Sequence, residues 1–356
     1  AGGGGRRGLS HGSVSKGAPA VLRELPEDGL WVHVRAPAKL NLFLGVRGTR
    51  PDGYHELVTV FQALSLYDQL RAGLIGPPGH GHHPAARRRM RVRLWHDSGD
   101  AIPGAEDNLA VRAARALGQA AGVMDLAHLD ERAATMAQPD VDSAASPYTV
   151  LDLRKRIPIG GGMAGGSADA AATLVALNDL WRCDLSRLEL RGVGEQIGSD
   201  VPFCIAGGTA LATGRGTSLA QVLCRGTFHW VVCEAWKPLS TAAVYASWDR
   251  NCQPNEVEPD AVLQALRNAD AEALGAALHN DLEAAAFALR PALHDGKRRL
   301  LEAGALGTVL SGSGPTLLAL AESEAAASLL ADAVRNHFAR VSVARSPVGG
   351  PEVCVG

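Results

Sequence analysis

The chain has 356 residues, 46% of them hydrophobic and 4% aromatic, so it is long enough for about two domains whose cores rest on Ala, Val and Leu. Lys+Arg (35) nearly balances Asp+Glu (37), which gives no reason to expect a nucleic-acid partner. No apolar run reaches the roughly eighteen residues of a membrane span, and the six cysteines, none in a CxxC pair, point to neither a zinc site nor a disulfide framework. A reduced, cytoplasmic setting is the default for such a chain.

Residues 1–29 are Gly-rich, carry Arg6 and Arg7 and lack an apolar segment, so they read as a disordered leader and not as a signal peptide. Ordered sequence is expected from Trp31, where Trp31 to Ala36 alternates like a strand. Pro37 suits an edge or a break in it. Beyond Pro37, Lys39 and Asn41 share one face of the strand, and Leu40, Leu42 and Leu44 share the other. One face fits a core and the other a site. Pro51-Asp52-Gly53 is a turn signal that ends in Tyr54 and His55, two side chains able to stack on a base or hydrogen-bond to it. Val58 to Leu66 is the next expected strand.

Residues 73–89 form a loop rich in Gly, Pro, His and Arg. His80, His82 and His83 have no cysteine or carboxylate beside them, so a solvated linker fits better than a metal site. Met90 to Trp95 alternates as a strand. Asn108 then caps a helix running to about Ala121. Residues 125–146 have no clear period and read as an inserted surface loop. A strand resumes at Tyr148. It ends in Arg154, Lys155 and Arg156, whose charges either favour a phosphate or simply face solvent.

The stretch Pro158 to Ala171 is the centre of the chain. It reads Pro-Ile-Gly-Gly-Gly-Met-Ala-Gly-Gly-Ser-Ala-Asp-Ala-Ala and stands between that strand and an Ala-rich helix, Ala168 to Leu180. Glycines free the backbone to turn its N–H groups inward around an anion. Ser167 is expected to open the helix, whose orphan N–H groups add a partial positive end. That combination is a phosphate cradle. No Gly-Lys-Ser/Thr follows it, so it is not the P-loop of ordinary ATPases, and its spacing is not the dinucleotide fingerprint.

Downstream, Ser186 and Glu189 form a box-like helix cap, and Asp200 stands at a turn before an apolar run, placed either to cap a helix or to act on a substrate. A strand lies between the glycine turns at Gly207-Gly208 and Gly214-Gly216. A second half begins near Phe228, with a buried-looking strand, a helix opened by Ser240 and Thr241, several further helices, and a Gly/Ser turn, Ser311-Gly312-Ser313-Gly314-Pro315, between two apolar strands. A helix over 323–338, a last strand over 339–344 and a loose Pro/Gly-rich tail over 346–356 complete the reading. Strands alternate with helices without regular β-helix-β units, which argues for two α+β domains and against a doubly wound parallel sheet.

Three motifs stand in order: Pro37-Ala38-Lys39-Leu40-Asn41-Leu42, Pro158 to Ala171, and Ser311 to Pro315. Together they resemble the superfamily of galactokinases, homoserine kinases, mevalonate kinases and phosphomevalonate kinases (GHMP kinases). Arg50-Pro51-Asp52-Gly53-Tyr54-His55-Glu56-Leu57 and Gly198-Ser199-Asp200-Val201-Pro202-Phe203 are similar to the branch that phosphorylates a cytidine-diphosphate-linked methylerythritol in non-mevalonate isoprenoid synthesis. The likeness runs from about Trp31 to Ala344.

The resemblance implies a two-domain α+β fold. An N-terminal domain over 30–225, like a domain of a ribosomal protein, would meet a C-terminal ferredoxin-like α/β sandwich over 226–345, with the active site in the cleft between them. It implies ATP and Mg²⁺ as cofactors, and a small-molecule substrate carrying a cytidine diphosphate group. It further implies neither a nucleic-acid nor a membrane partner, and a monomer or weak homodimer. Asp200 and Lys39 match the catalytic pair. Pro158, Gly160, Gly161, Gly162, Met163, Ala164, Gly165, Gly166, Ser167 and Ala168 match the ATP loop, with Asn108 on a flanking helix and Ser167 as the contact to the metal. Asn41 matches a position beside the reacting hydroxyl, and Tyr54 and His55 match the cytosine site. Ser240 and Thr241 fall in the wall of that site. Gly312 and Ser313 belong to the third motif, which closes on it. The chain departs from the family pattern at Met163-Ala164, where Leu-Gly is commoner, and at Ala168, where a second Ser is common.

Overall fold

The computed structural model describes residues 30–75, 91–97, 107–122 and 148–354. The leader, most of the His/Arg-rich loop with His80, His82 and His83, and the insertion at 125–146 lie outside the described residues.

Strands β1 (Leu30–Thr49) and β2 (His55–Ile75) form one long antiparallel hairpin. Its turn is the Pro51-Asp52-Gly53 segment, where the Arg50 carbonyl accepts from the Gly53 N–H at 3.0 Å. Both strands outrun the sequence expectation, β1 continuing past Leu44 to Thr49 and β2 spanning His55 to Ile75, and β1 passes straight through Pro37. Pro37 faces Tyr67 while Ala38 faces Leu64, so the register slips just where proline offers no N–H. A bulge absorbs that missing donor and re-aims the residues beyond it.

Strand β3 (Arg91–His96) runs parallel to β4 (Tyr148–Arg154), and β4 is antiparallel to β2. The other half of β2 pairs with β5 (Thr209–Gly214), which pairs in turn with β6 (Ser218–Gln221). Helices α1 (Leu109–Ala120), α2 (Gly165–Leu180), α3 (Arg187–Glu195) and α4 (Val201–Ala206) accompany this sheet. The side chain of Asn108 caps α1, and Ser186 with Glu189 completes a reciprocal capping box on α3, both at the positions the sequence marks. Helix α2 is apolar nearly all round and is buried from Ala168 to Leu177. A helix with no polar face must lie inside the molecule, and its run of alanines lets neighbours approach closely.

The chain passes to a second sheet between Gln221 and Phe228. That sheet holds β7 (Phe228–Glu234), β9 (Gly307–Leu310), β10 (Leu317–Ala321) and β11 (Arg340–Ser346), all antiparallel, in the order β11-β7-β10-β9. Helices α5 (Thr241–Asn251), α6 (Asp260–Asn268), α7 (Ala271–Ala277), α8 (Glu283–Leu289), α9 (Pro291–Glu302) and α10 (Glu324–Val334) surround it. The short β8 (His279–Asn280) returns to pair with β1. The architecture is α+β, built on two mainly antiparallel sheets.

Strand β7 explains how the halves hold together. Trp230 and Val232 join the core of the first sheet and α2, while Val231 and Cys233 join a second core under α8, α9 and α10. The two-residue period of a strand sends alternate side chains to opposite faces, and here both faces are covered. Val262, Leu266 and Leu274 also belong to the larger core, so the packing does not divide at residue 226.

Residues 346–354 of the tail are not loose, contrary to expectation. Gly207 bridges to Gly349, and a Cβ on Gly207 would stand 2.1 Å from the Gly350 nitrogen, so only glycine permits the approach. Strand β12 (Glu352–Cys354) then pairs with β1, where Arg35 meets Glu352 at 2.7 Å. Glycine-rich sequence here serves close backbone contact, which composition alone does not distinguish from disorder.

Candidate active site

The alternation of β1 holds at the site. Leu40 and Leu42 are fully buried in the core, and Lys39 and Asn41 turn to the other side, where they line a cleft of about 700 Å³. Asn41 is locked in orientation. Its amide Nδ2 donates to Thr59 Oγ1 at 2.8 Å, and Thr59 Oγ1 donates to the Phe43 carbonyl at 2.6 Å. That leaves Asn41 Oδ1 to accept from Lys39 Nζ at 2.8 Å, since an ammonium can only donate. Asp200 Oδ2 stands 3.8 Å from the same Nζ. Asp200 occupies the N-cap position of α4, yet its side chain makes no capping hydrogen bond. Of the two roles the sequence allowed it, the structure leaves its carboxylate facing the cleft.

The glycine stretch differs from expectation in one respect. Helix α2 starts at Gly165, not at Ser167 or Ala168, and its N-cap is Ala164, held in the left-handed region at φ 57°. No side chain caps this end and no acidic residue lies in its first turn. The first intrahelical bond runs from the Ala168 N–H to the Ala164 carbonyl at 2.8 Å. The N–H groups of Gly165, Gly166 and Ser167 therefore precede any intrahelical partner and stand at the positive end of the helix.

Left-handed geometry costs a non-glycine residue on the order of 1–2 kcal/mol, and glycine costs ~0.4–1 kcal/mol in the unfolded chain. Ala164→Gly should accordingly leave stability unchanged or raise it by up to ~1 kcal/mol in urea unfolding. A loss of more than ~1 kcal/mol would contradict the strain.

The loop is held from two sides. The Lys39 N–H donates to the Met163 carbonyl at 3.2 Å, and Ser311 Oγ donates to the Gly162 carbonyl at 3.0 Å. Gly312 comes close to both Lys39 and Asn41 of β1, for a Cβ built there would lie 3.6 Å from Asn41 Oδ1 and from Lys39 Nζ. Asn280 supports that turn from below by donating to the carbonyls of Leu310 and Gly312 at 2.8 and 2.7 Å.

Lys155 does not offer its charge to solvent or to a phosphate. It is buried, ion-paired with Asp68 of β2 and, at 2.6 Å, with Asp169 of α2. Arg156 reaches Asp97 at 3.1 Å. Burial disfavours the Lys155 charge, but Asp169 and Asp68 outweigh it and raise the ammonium above its ordinary value. Burial pushes the Asp169 carboxyl up to about 8, against the pull of Lys155 and with help from Asp68.

The consequence for stability has a definite sign. A carboxyl whose folded pKa lies above its unfolded value binds its proton more tightly when folded, so stability falls as pH rises through the window from about 4 to about 8. Urea unfolding of the wild type should weaken across that window, and the slope should flatten in Asp169→Asn. An equal slope in both proteins would rule the titration out.

The far end of the cleft gathers aromatic and charged groups. His55 Nε2 meets Asp249 Oδ1 at 2.7 Å, and the His55 ring lies 4.5 Å from the Tyr245 ring. The Arg215 guanidinium covers the Tyr54 ring at 3.8 Å. Thr241 Oγ1 and Ser313 Oγ are 2.8 Å apart and join the two motifs across the opening. Burial, then the charge of Asp200, pushes the Tyr245 phenol up to about 12, so it stays neutral.

Of the residues singled out from sequence, Lys39, Asn41, Tyr54, His55, Gly162, Ala164, Asp200, Thr241, Gly312 and Ser313 line this one cleft. Others do not. Asn108 is buried and spent on its cap, Ser240 caps α5 by accepting from the Ala243 N–H, and Met163 and Ala168 are core. Pro158, Gly160 and Gly161 form the preceding turn, in which the Gly161 N–H donates to the Pro158 carbonyl at 3.2 Å. Gly165, Gly166 and Ser167 continue from the cleft wall into α2. Sequence reasoning missed Thr59, Arg215, Tyr245 and Asp249. Tyr245 and Asp249 follow Thr241 at four-residue steps on one face of α5, a signal that only a known partner for that face would have raised.

Two family patterns match this chain: the GHMP kinases N terminal domain over residues 108–208, and the GHMP kinases C terminal pattern over residues 262–340. A 4-diphosphocytidyl-2-C-methyl-D-erythritol kinase of Nocardia farcinica is 44% identical over 328 residues, covering 90% of this chain and 96% of the relative. One from Saccharopolyspora erythraea is 43% identical, with 90% and 92% covered. A crystal structure of 4-(cytidine 5'-diphospho)-2C-methyl-D-erythritol kinase superposes with a TM-score of 0.68 at 31% identity, covering 89% of this chain and 100% of that one. A homoserine kinase from Cytophaga hutchinsonii superposes at 0.65 with 19% identity, covering 93% and 99%, which shows a shared fold alone. The chain belongs to the 4-diphosphocytidyl-2-C-methyl-D-erythritol kinase family of the GHMP kinases, ATP-dependent enzymes.

Proposed function

We propose that this enzyme transfers the γ-phosphoryl group of ATP to the 2-hydroxyl of 4-(cytidine 5'-diphospho)-2-C-methyl-D-erythritol, giving the 2-phosphate and ADP. The observation that carries the reading is the meeting of Lys39 and Asp200 at 3.8 Å, beside Gly162 and Gly312, in the same cleft as Tyr54, His55 and Tyr245. One end suits a reacting hydroxyl and a phosphate, and the other suits a nucleobase.

In this reading the hydroxyl oxygen bonds to phosphorus as the bond to the ADP oxygen breaks. Asp200 orients the hydroxyl and takes its proton. Lys39 offsets charge on the transferring group, and its hydrogen bond to Asn41 fixes where that charge sits. Such catalysis is mostly positioning and electrostatic stabilisation. The open N-terminus of α2 and the turn before it hold the phosphates through main-chain N–H groups. Mg²⁺ would neutralise phosphate charge, taking most of its oxygens from the nucleotide and water, with Ser167 as the side chain offered to it. Tyr54, His55 and Tyr245 hold the cytosine, with Thr241 and Ser313 closing the opening. No described helix is long and apolar enough to cross a membrane, and we infer a cytoplasmic enzyme acting as a monomer or weak homodimer.

The test offers γ-labelled ATP with the cytidine compound, homoserine and mevalonate side by side. Label is expected in the cytidine compound alone. Transfer to homoserine or mevalonate in preference would overturn the substrate assignment.

A further inference from the structure

We propose that the buried Lys155–Asp68–Asp169 cluster is a positioning device for the phosphate-binding loop, tying its two ends to one strand so that the N-terminus of α2 faces ATP. The inference rests on the ATP site proposed above. Neither Lys155 nor the two carboxylates lines the cleft, so they act through the backbone they hold.

The loop between Ile157 and Gly165 is fixed in its middle through the Gly162 and Met163 carbonyls, and its two ends are held separately. Asp68 of β2 takes one end. Its Oδ1 accepts from the N–H groups of Arg156 at 2.5 Å and Ile157 at 2.9 Å, the last residues before the loop. Its Oδ2 is occupied by the Lys155 ammonium. Lys155 takes the other end. Its Nζ donates to Asp169 Oδ2 at 2.6 Å, one turn into α2, and lies 3.4 Å from the carbonyl of Gly165, the first residue of that helix. One ammonium thus spans the loop, and one carboxylate anchors it to β2. All three side chains are almost wholly enclosed.

Charge makes the arrangement specific to an anion site. Asp169 sits beneath the helix end that would receive phosphate, where an unopposed negative charge would repel it. Lys155 in contact, and the proton this carboxyl keeps below about 8, leave no uncompensated negative charge there. Burying an ammonium with two carboxyl groups gains no net stability over a well-packed apolar cluster, so stability alone does not account for them. Asp169 Oδ1 has no hydrogen-bond partner, and its Oδ2 accepts from Lys155.

The experiment uses the full chain. Asp169→Asn is isosteric and keeps the Lys155–Asp68 pair, but weakens the tie between Lys155 and α2. Titration calorimetry with ATP and Mg²⁺ in the absence of the alcohol should show ATP affinity reduced about tenfold. Steady-state assays should then show a raised KM for ATP and a KM for the cytidine substrate changed less than about twofold. Lys155→Met should lose ATP affinity further, with a lower Tm. A purely structural role would lower Tm while leaving ATP affinity at the wild-type value, and that result overturns the proposal, as does an equal rise in both KM values. If Asp169→Asn fails to fold, the affinity of Lys155→Met decides, and wild-type affinity there overturns it. If neither variant folds, amide exchange of the wild type decides: protection gained on ATP binding should extend over both 155–157 and 165–169, and protection at one end alone overturns it. Wild-type turnover in the same assays tests the assigned substrate separately, so a failure of that reading is distinguishable from a failure of this one.

Discussion

Asp200→Asn should lower turnover by about 10²-fold or more while the protein still folds and binds ATP. The size follows from the contribution of a positioned general base. The change keeps the shape of the side chain and removes its charge, and Asp200 makes no capping hydrogen bond whose loss would disturb α4. Lys39→Met should cost turnover to a similar degree, but for a second reason as well. Lys39 is buried and donates to Asn41, which in turn is fixed by Thr59. Without the ammonium, Asn41 Oδ1 loses its donor in a buried place, a loss of roughly 1–3 kcal/mol. Asp200→Asn should therefore change kcat with little change in Tm, whereas Lys39→Met should change both. Unchanged turnover in both variants would remove the assigned roles.

Gly162→Ala should damage folding and activity together. Gly162 has φ +76°, and a Cβ there would stand 1.9 Å from the Ser311 carbonyl oxygen. That oxygen is backbone in a turn fixed by Asn280 and by its own hydrogen bonds, including the Gly314 N–H to the Ser311 carbonyl at 2.8 Å, so it has little room to retreat. The positive φ alone costs about 1–2 kcal/mol, and forced repacking adds about 1–3 kcal/mol. A destabilisation of roughly 2–5 kcal/mol in urea unfolding is expected, with weaker ATP binding in whatever remains folded. Wild-type stability would mean that the loop and the Ser311 turn are not in contact.

The contrast between Gly162 and Ala164 shows what sequence could and could not supply. A cluster of glycines before a helix was legible as a tight turn into a helix start, and the structure has both. The exact helix start was not. Capping preferences favour Ser, Thr, Asp or Asn at the N-cap, which drew attention to Ser167. The helix instead begins at Gly165 behind an alanine in a strained conformation, because this end is left uncapped. The period-two pattern around Lys39 and Asn41 was read correctly for the same reason that Asn108 and Ser186 were: each depends on residues a few positions apart.

Lys155 was not legible, since Arg154-Lys155-Arg156 is an ordinary surface run until the fold brings Asp68 and Asp169 against it from residues 87 and 14 positions away. The tail and the α5 face failed similarly. Gly349 and Gly350 matter because Gly207 lies beside them, and Tyr245 and Asp249 matter because His55 does. Pro37 marks an edge or a break in sequence, and the structure resolves that choice as a register slip within a continuous strand. Local pattern therefore gave the motifs and most helices, while the partners that turn them into a site came only from tertiary contacts.

A crystal structure with a non-hydrolysable ATP analogue, Mg²⁺ and the cytidine substrate tests the central claim most directly. The phosphates should lie against the N–H groups of Gly165, Gly166 and Ser167, with the terminal one within reach of Lys39 Nζ and the acceptor hydroxyl at the Asp200 carboxylate. Phosphates bound elsewhere, or a hydroxyl held away from both Lys39 and Asp200, would contradict it.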